Sequence, residues 1–347
     1  MHPPGMEDSD RRVRKLAALL EMGLTPVDVP PVTCEAFRVS NRKYKVISIR
    51  PAMGTLVSIT AIHPSRDVTE EAAGRVFEEI DRLVGILSRH DQSTALAYLN
   101  KEGFLEGVPR ELHRVVSGAF RFHSISGGAF DISVKPVIDL LESSVRDGGN
   151  AEPAPEGLRG ALELTGSDHI ELTENAIGFK KRGMGVTLDG IAKGYIVDRA
   201  AEILAGYKIR NFLINAGGDI RISGKREDRQ PWTVAVQDPA GSGEFPDVIM
   251  LTKGAVATSA GYKIHYDPEM KFHHIVDSAT GRSPHLNASV SVVAPTAMAA
   301  DALATTLFLM ETEKGIELIE TLPGCESLIV GKTGEVVRTK GWKSASR

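Results

Sequence analysis

Cysteine is almost missing from this chain. Cys34 and Cys325 are the only two in 347 residues, and neither stands in a spacing that metal or redox sites use. No run of about 18 apolar residues occurs, so no membrane-spanning helix is expected. Neither sign of charge dominates: the formal net charge is -4, which provides no basic field, and nucleic acid is excluded as a general partner. Several catalytic signatures are absent as well. There is no Gly-x-Gly-x-x-Gly fingerprint and no P-loop, so neither a dinucleotide-binding turn nor a Walker-type phosphate cradle is indicated. A Gly-x-Ser-x-Gly elbow and a His-Glu-x-x-His zinc helix are missing too.

What is present is ordinary globular composition, 42% hydrophobic and 25% charged, enough to bury a sizeable core in one large domain or two. Thirty-four glycines point to many tight turns or close backbone approaches.

Residues 1–42 read as an N-terminal appendage and 43–347 as the folded domain. Within the appendage, Arg11-Arg12-Val13-Arg14-Lys15 precedes Leu16-Ala17-Ala18-Leu19-Leu20. This is similar to a twin-arginine export signal, degenerate at Arg14 and Glu21, and reads equally as a short amphipathic arm.

Alternation predicts strands over 45–49 and 54–60. Helical spacing of Ala73, Val76, Phe77, Ile80, Leu83 and Leu87 predicts a helix over 67–87. Further helices are expected over 111–126, from 135 to about 141, over 191–204 and after Asp301, with a surface loop or joint over 143–160. Strands are expected at 170–172, 176–179, 212–215, 220–222, 232–236, 248–251, 254–259 and 328–330. Strands and helices mix without regular βα alternation. The fold class is therefore α+β, with mixed, largely antiparallel sheets packed against helices.

The segment Asp301-Ala302-Leu303-Ala304-Thr305 sets a carboxylate and a hydroxyl one helical turn apart, on one face. Two such oxygen ligands suit Mg²⁺, which takes one or two carboxylates and borrows phosphate oxygens for the rest. The plainer reading is that Asp301 caps the helix and Thr305 packs on a strand.

Five further segments combine glycine with a polar group beside a strand. Gly127-Gly128-Ala129-Phe130-Asp131 ends a helix. Asp189-Gly190-Ile191-Ala192-Lys193-Gly194 opens one, where free N–H groups attract anions. Asn215-Ala216-Gly217-Gly218-Asp219 and Ala257-Thr258-Ser259-Ala260-Gly261 are turns. His273-His274-Ile275-Val276-Asp277 places adjacent histidines at a strand end, so at most one faces a given cleft.

In this order and spacing the segments resemble the ApbE family of FAD:protein FMN transferases. The matching pieces also include Met53-Gly54-Thr55, Leu87-Ser88-Arg89-His90, Asp198 and Thr280-Gly281. The resemblance implies a cofactor cleft between lobes and a Mg²⁺-dependent transfer of FMN from FAD to a Ser or Thr hydroxyl of a target protein, with release of AMP. It implies metal ligation by Asp301, Thr305 and the Gly190 carbonyl, with Lys193 at the phosphates and His274 as general base, oriented by Asp277. FAD contacts are implied at Met53, His90, Ala129, Phe130, Asp131 and Val276. The family's usual acid is displaced from Thr187 to Asp189, so an adenosine contact falls to one of those two. His90 replaces a usual aromatic.

Target proteins implied by the resemblance are subunits of Rnf-type or ion-pumping quinone oxidoreductase complexes, a membrane-associated class. Family habit implies the periplasmic face of the inner membrane, with the cytoplasm as the alternative. Two other functions stay open. A metal-dependent FAD pyrophosphatase would release FMN and AMP without an acceptor, and a non-catalytic FAD-binding protein would keep FAD after Asp301→Ala with no turnover.

Overall fold

A computed structural model describes residues 33–40, 42–146, 153–239, 245–261 and 272–345. The arginine-led segment 11–20 lies outside the described residues. The chain begins with β1 (Thr33–Ser40), β2 (Lys43–Ala52), β3 (Thr55–His63), α1 (Arg66–Leu87), α2 (Ala95–Glu102) and β4 (Phe104–Glu106). It continues through α3 (Arg110–Ile125), α4 (Lys135–Arg146), α5 (Pro155–Glu163), β5 (Ile170–Leu172), β6 (Ala176–Phe179) and α6 (Ala192–Gly206). Then come β7 (Asn211–Ala216), β8 (Asp219–Ser223), β9 (Trp232–Ala235), β10 (Val248–Leu251), β11 (Lys253–Ala260) and β12 (Asn287–Ala294). The last elements are α7 (Ala297–Leu309), α8 (Thr312–Glu320), β13 (Glu326–Gly331) and β14 (Val336–Arg338).

Nine strands form one sheet in the order β1-β2-β3-β7-β8-β11-β12-β13-β14. Each neighbouring pair in it is antiparallel, as the absence of βα alternation implies. Period-2 patterning decides which side chains meet which layer. Val57, Ile59 and Ala61 of β3 and Phe212, Ile214 and Ala216 of β7 join the large core with α1, α3, α6 and α7. Ile220, Ile222, Val256, Leu328 and Val330 point to the other face, where Trp232, Val234 and Ile249 of the β9–β10 pair cover them. A smaller cluster forms where α4 and α5 meet, around Val137, Ile138, Leu141, Ala161 and Val276.

The helix α1 shows how sequence makes these layers. Ser65 caps it by accepting the Val68 N–H at 3.3 Å. The periodic residues Val76, Phe77, Ile80 and Leu83 are then at most 2% exposed. Each such burial contributes about 1.5–3 kcal/mol relative to exposure.

Three expectations need correction. Residues 33–40, assigned to the appendage, form β1 and pair with β2 along the sheet edge. An edge strand alternates weakly, which hid it. The loop expected over 143–160 is helical at both described ends, since α4 runs to Arg146 and α5 begins at Pro155. Leu158 and Ala161 anchor α5 against α4, and Pro155 suits the first turn. Asp301 does not cap its helix: α7 starts at Ala297 with Thr296 as N-cap, and Asp301 sits one turn in.

Candidate active site

Between the α4–α5 cluster and the main core lies a cleft of about 760 Å³, counting its open mouth. Elements distant in sequence converge on it: the 3-10 turn Ile132–Val134, the 187–190 loop that leads into α6, the end of β11, residues 274–276, and one face of α7. Of the residues singled out by sequence, Phe130, Asp131, Thr187, Asp189, Gly190, Lys193, His274, Val276, Asp301 and Thr305 line this cleft. Met53, His90 and Ala129 are not among its lining residues. Met53 stands at positive φ in the β2–β3 turn, and His90 is exposed beyond the end of α1.

Asp301 and Thr305 share a face of α7, as their spacing requires. Asp301 is buried, and its Oδ2 accepts the Gly194 N–H at 3.0 Å. Thr305 Oγ1 lies 3.2 Å from Ser259 Oγ at the end of β11. A Cβ placed on Gly190 would lie 3.0 Å from Thr305 Oγ1 and 3.4 Å from Phe130, so a side chain there would require these neighbours to give by a few tenths of an ångström. One carboxylate and one hydroxyl, beside the Gly190 loop, make an all-oxygen donor set poor in charge. Such a set suits Mg²⁺ that completes its shell with water and phosphate. Among the described residues no group of three or more His, Cys, Asp or Glu side chains forms a metal cage.

Lys193 enters from the first turn of α6 and meets Asp219, with Nζ 3.1 Å from Oδ2. Asp219 is buried just after the Gly217–Gly218 turn, whose glycines take φ of 61° and 104°. Asn215 Oδ1 closes that turn by accepting the Gly218 N–H at 2.9 Å. The Asp219 carboxylate holds the Lys193 ammonium above its usual pKa; burial opposes this, and Asp301 reinforces it. Lys193 therefore carries a full charge into the cleft.

The strand end expected at 273–274 is not among the strands of the described residues, but the two adjacent histidines still divide. His274 lines the cleft. His273 is buried, its Nδ1 accepts the Ile275 N–H at 3.2 Å, and its Nε2–H donates to the Pro284 carbonyl at 3.0 Å. Those partners hold the 273–275 segment that presents His274. Asp277, expected to orient His274, is engaged elsewhere. Its Oδ1 accepts the N–H groups of Ala279 and Thr280 at 2.7 and 3.1 Å and closes its own turn.

At the cleft wall the Asp131 carboxylate is taken up structurally. It accepts from the Ser133 N–H and hydroxyl and from Ser167, tying the 3-10 turn to the 166–167 corner. Thr187 Oγ1 likewise accepts the Asp189 N–H at 3.2 Å. Asp189 itself is half exposed at the mouth and is gripped by Arg89 Nε at 2.8 Å, while Arg89 Nη2 reaches Glu142 at 3.0 Å. Burial works to lower the Arg89 pKa, but these two carboxylates outweigh it and hold it above the usual value.

Sequence reasoning assigned no role to Asp219, Ser259 or Arg89, although it quoted the segments that carry them. Each acts through a partner 26, 46 or 100 residues away (Lys193, Thr305, Asp189). No local spacing signals such pairs; only their membership of the ordered motif set pointed to them.

The chain resembles known proteins over most of its length. The family model described as the ApbE family matches residues 53–329. The FAD:protein FMN transferase of Haemophilus influenzae is 29% identical over 296 residues, covering 80% of this chain and 85% of its own. The flavin transferase ApbE from Vibrio cholerae superimposes with a TM-score of 0.75 at 25% identity, over 89% of this chain and 98% of that one. The ApbE protein from Thermotoga maritima gives 0.75 at 30% identity, over 85% and 97%.

Proposed function

Because this chain belongs to the ApbE family, we propose that it is an FAD:protein FMN transferase that uses Mg²⁺ to move the FMN half of FAD onto a Ser or Thr hydroxyl, releasing AMP. The observation that supports this most is the meeting in one cleft of Asp301, Thr305, Gly190, Lys193 and His274. Transfer between phosphates is mainly a matter of positioning and charge neutralisation, and this set provides both.

In this reading the acceptor oxygen attacks the FMN-side phosphorus of FAD. The bond from that phosphorus to the bridging oxygen breaks, and AMP departs with the oxygen. His274 accepts the hydroxyl proton. Lys193, kept charged by Asp219, lies against the diphosphate. Asp301, Thr305 and the Gly190 carbonyl would hold Mg²⁺, which supplies positive charge where the leaving phosphate becomes more negative. Phe130, Ile138, Val276 and Leu309 give the cleft an apolar wall suited to the flavin ring. Asp189, with Thr187 behind it, faces the mouth as the polar contact for the adenosine end.

The acceptors to offer first are subunits of Rnf-type or quinone oxidoreductase complexes, the class the family resemblance implies. With FAD and Mg²⁺, an acceptor band should gain flavin fluorescence on a denaturing gel, and Asp301→Ala or His274→Ala should abolish it. A fluorescent band undiminished by both substitutions would refute the residue roles.

A further inference from the structure

The N-termini of α6 and α7 are locked to each other by two carboxylates that run in opposite directions. Asp301 of α7 accepts the Gly194 N–H in the first turn of α6, at 3.0 Å. Asp198, one turn further along α6, accepts the N–H groups of Ala297 and Met298 at the start of α7, at 2.8 and 2.9 Å. A helix begins with four N–H groups that lack partners within it. On α7, Asp198 satisfies two, and the Thr296 hydroxyl satisfies a third, that of Ala299.

The crossing leaves no slack. A Cβ on Gly194 would run into the Ala297 carbonyl and lie 2.8 Å from Met298 Cα. Asp198 is in turn tied to the sheet, since Arg221 Nε of β8 lies 3.2 Å from its Oδ1. Two residues earlier on β8, Asp219 grips Lys193. One strand thus anchors α6 at two points, and α6 fixes the axial position of α7.

We propose that Asp198 is a positioning residue for metal binding: by holding the first turn of α7 against α6, it sets where Asp301 and Thr305 present their oxygens. This rests on the reading of Asp301 and Thr305 as Mg²⁺ ligands. Groups that orient a ligand from behind it typically change metal affinity ~10–100-fold when removed. Asp198 touches neither the cleft lining nor the reacting atoms, so its effect passes through the helix.

The test compares Asp198→Asn with Thr296→Ala, which weakens the same helix start without touching α6. Mg²⁺ binding to the FAD-loaded protein is followed by calorimetry, the Mg²⁺ dependence of AMP release is measured, and FAD binding is measured in EDTA. Asp198→Asn should weaken Mg²⁺ binding ~10-fold, with kcat returning at high Mg²⁺ and FAD binding in EDTA unchanged. Thr296→Ala should lower the melting temperature and leave Mg²⁺ affinity as in wild type. Should Asp198→Asn fail to fold, Arg221→Met, which frees Asp198 from the sheet, should shift Mg²⁺ affinity in the same direction. Mg²⁺ affinity that is unchanged in the Asp198 variant, or lowered equally by Thr296→Ala, overturns the proposal. Wild-type protein that ignores Mg²⁺, with Asp301→Ala behaving identically, would instead overturn the reading beneath it.

Discussion

Gly190 and Thr305 approach so closely that a single methyl group on the glycine would lie 3.0 Å from the threonine hydroxyl. The loop before α6 and the inner face of α7 therefore meet at one point of the cleft wall. Gly190→Ala must push Thr305 or the loop aside. It should raise the Mg²⁺ concentration needed for half-maximal AMP release by ~10-fold or more, while the melting temperature changes little. A Mg²⁺ titration of both proteins at fixed FAD decides it.

In the proposed reading, His274 receives the acceptor proton. His274→Gln should lower the rate of target flavinylation by ~10²–10⁴, the usual contribution of general base catalysis. FAD affinity should stay within a factor of ~3 of wild type, since a ground-state contact is not what the substitution removes.

Lys193 is expected to act as a fixed charge. Its pKa in the folded protein is raised above the ordinary 10.5 by Asp219. The stability that the pair contributes is fully present below 10.5 and is lost only as pH rises through the still higher folded value. No titration step from Lys193 should therefore appear in activity at neutral pH. Asp219→Asn should uncouple the pair and lower kcat by roughly tenfold, without introducing a new neutral-pH transition.

The Asp247 carboxylate makes a prediction about stability alone. Burial works to raise its pKa, but donors from Ser344, Arg338, the Val248 N–H and Trp342 outweigh this and depress it below the ordinary 3.8. Its contribution is present above 3.8 and is lost as pH falls through the lower folded value. Asp247→Asn should cost about 1–3 kcal/mol at neutral pH, with the deficit shrinking in acid. Melting curves across the acid range test this, and flavin transfer should be unaffected.

Much of this was legible in the sequence because the relevant signals are local. The apolar period over 67–87 marked α1, and Asp301 with Thr305 shared a helix face by spacing alone. The elements that escaped notice carry weak local signals: β1 is an edge strand, β4 and β14 have only three residues each, and α2 buries just Leu96, Ala97 and Leu99. Contacts across the fold were equally hidden. Nothing near Asp277 reveals that its own turn takes up the carboxylate, and nothing near Lys193 names Asp219 as its partner. Motif order gathered the right segments, whereas pairings between them appear only once the sheet brings β8 beside α6 and α7.

The most direct test is the intact mass of an acceptor subunit after incubation with this protein, FAD and Mg²⁺, with AMP counted in the same reaction. The account predicts a mass gain equal to FMN less one water, one AMP for each modified acceptor, and neither product in EDTA. An acceptor of unchanged mass alongside steady release of free FMN and AMP would contradict it, as would a mass gain that persists undiminished without divalent metal.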